Sequence, residues 1–162
     1  MPDVYLGLGS NLRPADNLRL AVRELADRFT LKTVSPVYRN APVGFDGEDF
    51  LNTVALVETD MPAVAVCGEL ELIHDLAGRK RSADSFVSRT LDIDLLLYGS
   101  DIIDQPPVRV PRNDILRYGF VLRPLADIAP DVTHPATRKT MAEHWSAFDA
   151  GGHRLVEEHI DL

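Results

Sequence analysis

Short apolar runs alternate along the chain with stretches whose apolar residues recur every three or four positions, and the two periods predict different elements. Residues 4–10, VYLGLGS, read as a strand. Beyond Pro14, Leu18, Val22, Leu25 and Phe29 recur at helical spacing, which predicts one amphipathic helix. The intervening GLGSN reads as a strand end turning into that helix, with Ser10 or Asn11 as its cap. Residues 31–39, LKTVSPVYR, are strand-like, and Pro36 argues for an edge or a bulge because proline has no N–H to give to a ladder. NAPVGFDGED (40–49) has the composition of a loop, and FLNTVALVET (50–59) is a second β-rich run. Asp60 and Pro62 then open a helix whose apolar face is Ala63, Val66, Leu70, Ile73 and Ala77, with Gly78 as its stop.

GRKRSADSFVSR (78–89) is charged and short of large apolar residues, as expected of a mobile loop. DIDLLLYG (92–99) is a strand, and SDIIDQ (100–105) turns toward another near residues 108–110. Residues 113–131 read as short helical turns punctuated by Gly119, Pro124 and Pro130; 140–149 read as a helix and 154–160 as a last strand. No repeat or linker divides the chain. The order strand, helix, strand, strand over residues 50–110 predicts an α+β sheet with helices packed against it.

Composition adds limits. With 162 residues, 45% of them apolar, one compact domain can bury a core without disulfides or a structural metal. The single cysteine, Cys67, lies in an apolar helical pattern and is expected to pack, which suits a reducing compartment. No targeting segment opens the sequence and no window nears the roughly 20 apolar residues of a membrane span, so a cytoplasmic protein is expected. A formal charge of −8 opposes nucleic acid and acidic membranes as partners, and any anionic ligand needs its own cluster of arginines.

RTLDIDLLLYG (89–99) sets Asp92 and Asp94 two residues apart in a segment that otherwise reads as a buried strand. On a strand such residues face one side about 7 Å apart. Two carboxylates so placed repel, and a divalent cation relieves the repulsion; oxygen-only ligands suit Mg²⁺, which recruits phosphate oxygens. The same alternation also fits a solvent-facing strand surface. Arg79, Arg81 and Arg89 bring positive charge close in sequence, and arginine forks match phosphate, although three arginines on a solvated loop balancing nearby acids read equally well. No G-x-x-x-x-G-K-[ST] loop occurs, Leu12 stands where a dinucleotide fingerprint needs glycine, and HExxH, CxxC and GxSxG are absent.

GLGSNL (7–12), FLNTV (50–54), GRKR (78–81), RTLDIDLLLYG (89–99), Val110-Pro111 and GFVLRPLADIAP (119–130) follow one another as in the 6-hydroxymethyl-7,8-dihydropterin pyrophosphokinases of folate biosynthesis, which the chain resembles over residues 3–150. The resemblance implies a ferredoxin-like three-layer α/β/α domain with a mainly antiparallel sheet. It implies pyrophosphate transfer from ATP to the pterin, two Mg²⁺ ions held by Asp92 and Asp94, and Arg79, Arg81 and Arg89 on the triphosphate. It further implies Asn52 on the pterin edge, Phe120 stacked on its ring, and Phe50 where the family usually has tyrosine. Ala41, Pro42 and Val43 would line the pterin pocket through their backbones, Leu95 and Val108 would meet adenine in the same way, and Arg112 would join the nucleotide site. Four places depart from the family pattern: His74 for glutamate, Phe86-Val87-Ser88 for Trp-Gly-Pro, Arg112 for histidine, and Tyr118 for arginine. They raise two alternatives, a divergent paralogue with an altered pterin or nucleotide substrate and a non-catalytic binder. An RNA-binding ferredoxin-like module lacks both its aromatic motif and a basic composition.

Overall fold

The computed structural model describes residues 1–78, 91–149 and 154–162. Its elements run β1 (Asp3–Ser10), α1 (Pro14–Arg28), β2 (Thr30–Val34), β3 (Val37–Asn40), β4 (Phe50–Glu58), α2 (Ala63–Leu76), β5 (Asp92–Tyr98), β6 (Ile103–Gln105), β7 (Val108–Val110), α3 (Asp114–Arg117), α4 (Gly119–Ile128), α5 (Met141–Ala147) and β8 (Val156–Glu158). The main sheet has the order β5-β1-β4-β3-β8, with β2 also paired to β4, and every pairing is antiparallel. Strand, helix, split strand, strand, helix, strand is the ferredoxin-like β-α-β-β-α-β pattern, and β6 and β7 form a separate hairpin.

Alternation sorts the strand side chains into two layers. Val4, Leu6 and Leu8 of β1, Ala55 and Val57 of β4 and Ile93 and Leu95 of β5 pack with Leu18, Val22 and Leu25 of α1 and Val66, Leu70 and Ile73 of α2. On the opposite face Tyr5, Val54, Leu96 and Leu97 pack with Ile115, Leu122, Leu125 and Met141 from α3, α4 and α5. The register between β1 and β5 shifts between Tyr5 and Leu6, so Leu95 faces Leu6 while Leu97 faces Tyr5. The extra residue, Leu96, bends the strand and turns consecutive leucines to the same layer.

Three local expectations change. The N-cap of α1 is Arg13, in the left-handed region at φ 42°, without a side-chain cap. The Ser10 hydroxyl donates to the Leu12 carbonyl (3.1 Å) and the Asn11 amide to the Glu48 carbonyl (3.2 Å), so both residues brace the turn rather than cap the helix. Residues 31–39 form two strands: Pro36 breaks the run, and Ser35 bridges the gap to Val54 through its N–H and its hydroxyl, both at 2.8 Å. Residues 119–128 make one helix through Pro124, where burial of Leu122, Pro124 and Leu125 offsets the lost bond to Phe120's carbonyl and the crowding of the proline ring. The expected loop at 78–89 lies, beyond Gly78, outside the described residues.

Candidate active site

Two glycines of β1 set the floor of the site. Gly9 pairs with Asp92 on one side and Asn52 on the other, and Gly7 with Asp94 and Val54, so four side chains rise around a strip of bare backbone. A Cβ on Gly9 would lie 2.6 Å from Asn52 Oδ1, and one on Gly7 3.4 Å from Leu96. The strip opens into a cleft of about 250 Å³. Asn52 is buried, and its amide nitrogen donates to Asn40 Oδ1 (2.5 Å), which turns its own oxygen toward Gly9; Asn40 in turn donates to the Ala41 carbonyl (3.0 Å). Aromatic rings wall the cleft: Phe45 meets Phe50 edge to face, and Tyr118 stacks on Phe120 with centroids 5.0 Å apart and planes 18° apart. Two amides beneath flat apolar walls suit a planar heterocycle with a hydrogen-bonding edge.

Asp92 and Asp94 both line this cleft, as their spacing predicts, with side chains 24% and 31% exposed. The strand that carries them is held from its outer edge. His74, buried on α2, accepts the Ile93 N–H through Nε2 (2.8 Å), which puts its proton on Nδ1, 3.3 Å from Glu71. His74 therefore grips the backbone between the two aspartates, in the place where the family pattern has glutamate. Arg112 lies 3.5 Å from Asp94 and 3.0 Å from Asp114.

A second cleft, of about 420 Å³, opens between α2, β5 and the hairpin and is lined by Val64, Cys67 and Leu70, by Ile93 to Leu95, and by Pro107, Arg109 and Arg112. Asp94 lines both clefts. Cys67 packs half-buried against the core, where burial pushes its thiol up, consistent with a packing role. Asp92 and Asp94 fit a hard cation such as Mg²⁺. Among the described residues no group of three His, Cys, Asp or Glu forms a protein cage, so such an ion would draw its other ligands from water and phosphate.

Of the residues singled out in the sequence, Val43, Phe50, Asn52, Asp92, Asp94 and Phe120 line the first cleft. Leu95 and Arg112 line the second, with Val108 buried between its lining neighbours Pro107 and Arg109. Ala41 and Pro42 are not among the lining residues of either cleft. Arg79, Arg81, Arg89 and Phe86-Val87-Ser88 lie outside the described residues. Asn40, Phe45 and Asp114 join the first cleft without having been singled out. The one sequence signal for its floor was the pair Gly7 and Gly9 on a single strand face.

Two clefts meeting at an acidic strand of a ferredoxin-like domain place this chain in the α+β class. The chain belongs to the family described as 7,8-dihydro-6-hydroxymethylpterin-pyrophosphokinase, whose family model matches residues 5–130. It is 34% identical over 154 residues to the 2-amino-4-hydroxy-6-hydroxymethyldihydropteridine pyrophosphokinase of Haemophilus influenzae, covering 89% of this chain and 96% of the relative. Against the protein of the same name from Pseudomonas aeruginosa it is 37% identical over 139 residues, covering 83% and 85%. The crystal structure of wild-type Plasmodium falciparum HPPK-DHPS superposes with a TM-score of 0.70 at 12% identity, over 90% of this chain and 44% of that one, a likeness of fold. The chain thus spans less than half of that longer protein.

Proposed function

We propose that this chain transfers pyrophosphate from ATP to the hydroxymethyl group of 6-hydroxymethyl-7,8-dihydropterin, releasing AMP, in folate biosynthesis. Family membership supports the activity, and the observation that carries the site is Asp94, which lines both clefts. In the transfer the hydroxyl oxygen bonds to the β-phosphorus and releases its proton to water, while the bond from that phosphorus to the oxygen bridging the α-phosphate breaks and AMP departs with that oxygen. Such a step depends on alignment and charge neutralisation more than on a strong side-chain base.

The first cleft takes the pterin. Asn52, oriented by Asn40, hydrogen-bonds its edge, Phe120 and Phe50 pack on its ring, and Val43 closes the pocket, with Ala41 and Pro42 assigned beside it by the family resemblance alone. The second cleft takes ATP, with adenine against the backbones of Leu95 and Val108, and Arg112 toward the phosphates. Asp92 and Asp94 would hold magnesium, two ions by the family resemblance, which when bound neutralises phosphate charge. Arg79, Arg81 and Arg89 are assigned to the triphosphate by the same resemblance. Asp92 also stands near the substrate hydroxyl. The whole chain acts as one catalytic domain, and the need for ATP together with an unpaired Cys67 suits the cytoplasm. No described helix is long and apolar enough to cross a membrane.

Tyr118 stacked on Phe120, where the family pattern has arginine, favours a second reading, a paralogue with an altered substrate. One assay separates the two. Incubation with MgATP and 6-hydroxymethyl-7,8-dihydropterin is expected to yield AMP and the pterin diphosphate, and Asp94→Asn to slow this by about 100-fold or more. Pterin binding with no AMP formed would reject the pyrophosphokinase reading.

A further inference from the structure

Arg112 is fixed on the strand that carries the acidic pair. Its backbone N–H donates to the carbonyl of Leu96 (3.0 Å), two residues from Asp94. Its side chain reaches back along that strand, with Nη2 3.5 Å from Asp94 Oδ1 and Nε 3.0 Å from Asp114 Oδ2. An arginine guanidinium keeps its charge at any working pH. A permanent cation therefore sits against the carboxylate shared by both clefts, and it lines the second cleft itself. A guanidinium and a divalent cation at one carboxylate repel each other, whereas the same guanidinium attracts phosphate.

We infer that Arg112 is a resident counter-ion of Asp94, displaced by an incoming metal-bound nucleotide and then turned onto the nucleotide's phosphates. The inference rests on the reading of Asp94 as a metal-facing carboxylate. Asp114 gives the arm its pivot: the Nε bond persists while Nη2 leaves Asp94. The consequence is a pair of opposite signs. Arg112 opposes binding of a bare cation and favours binding of the anionic complex.

The test titrates Mn²⁺, as a paramagnetic stand-in for Mg²⁺, into the nucleotide-free protein and follows water-proton relaxation. Arg112→Gln is expected to bind Mn²⁺ about fivefold tighter than the parent, the scale of a partly exposed ion pair, while binding the Mg²⁺ complex of a non-hydrolysable ATP analogue more weakly. Arg112→Lys, which keeps the charge, is expected to bind Mn²⁺ like the parent. A loss of structure would weaken both ligands together, and that result overturns the inference, as does Mn²⁺ tightening in the lysine variant. Equal Mn²⁺ affinity in parent and Arg112→Gln also overturns it, yet leaves the reading of Asp94 standing if Asp94→Asn weakens the metal. If Asp94→Asn changes nothing in either background, the inference and that reading fall together.

Discussion

Gly9 and Asn52 illustrate how a missing atom fixes the position of a cleft side chain. Asn52 is directed by Asn40 from one side, and its oxygen occupies the space that any Cβ on Gly9 would need, 2.6 Å away. Gly9→Ala should push the Asn52 amide out of place and disturb little else, since the floor strand keeps its ladder. Pterin affinity is expected to fall about tenfold, the worth of one well-placed hydrogen bond, with ATP-analogue affinity unchanged; calorimetric titration of each ligand checks both halves. An unchanged pterin affinity would reject Asn52 as the edge-reading group. At this scale the sequence revealed Asp92 and Asp94 because their alternation on a strand is unusual. It hid Asn40, Phe45 and Asp114, each ordinary in its local setting and made part of the site only by the approach of distant segments. It also hid His74's grip on Ile93, since nothing in a helical sequence tells which strand backbone a buried imidazole will reach.

Among the elements, α1 and α2 were legible because helical periodicity reports a single buried face, and β1, β4 and β5 because short β-rich runs bounded by turn residues mark strands buried on both faces. The division of residues 31–39 was only half legible. Pro36 announces a missing donor, but the repair is made by Ser35, whose hydroxyl accepts the Val54 N–H at 2.8 Å and meets the Thr53 hydroxyl at 2.8 Å. Ser35 and Thr53 are both buried, so removing the hydroxyl strands a donor that water cannot reach. Ser35→Ala should therefore cost about 1–3 kcal/mol, seen as a lower urea midpoint with an unchanged slope. No loss of stability would mean that the split strand does not depend on this bridge. The helix through Pro124 was missed for a related reason: burial of Leu122 and Leu125 offsets the proline's lost backbone bond and crowded ring, and only tertiary packing reveals that balance.

For the molecule as a whole, proton linkage sums over every group that the fold perturbs, and the resolved carboxylate and histidine shifts run in one direction. Glu58 is lowered by its hydrogen bond to Lys32, Glu143 by the Thr140 backbone, and Glu158 by Arg39, so each favours the fold above the ordinary carboxylate range and ceases to do so in acid. Glu143 is exposed and Glu58 and Glu158 are partly covered, and the loss of all three contributions belongs to pH values below about 4.5. Nearer neutrality the resolved contributor is His134, buried in the loop between α4 and α5. Its Nδ1 accepts the N–H groups of Ala136 (3.1 Å) and Thr137 (3.2 Å), and its ring lies 5.6 Å from that of His144. Burial first, and His144 second, lower its pKa below 6.5. The unfolded chain then binds more protons than the folded one between the folded value and 6.5, so this contribution is complete above 6.5 and is lost as pH falls through the folded value. His134→Asn keeps an acceptor near Nδ1 but cannot titrate. Its melting temperature should thus fall less than the parent's between pH 7.5 and pH 5.5, even if the variant is less stable at both. Parallel melting curves across that interval would show that His134 is not the group coupling this fold to mild acid.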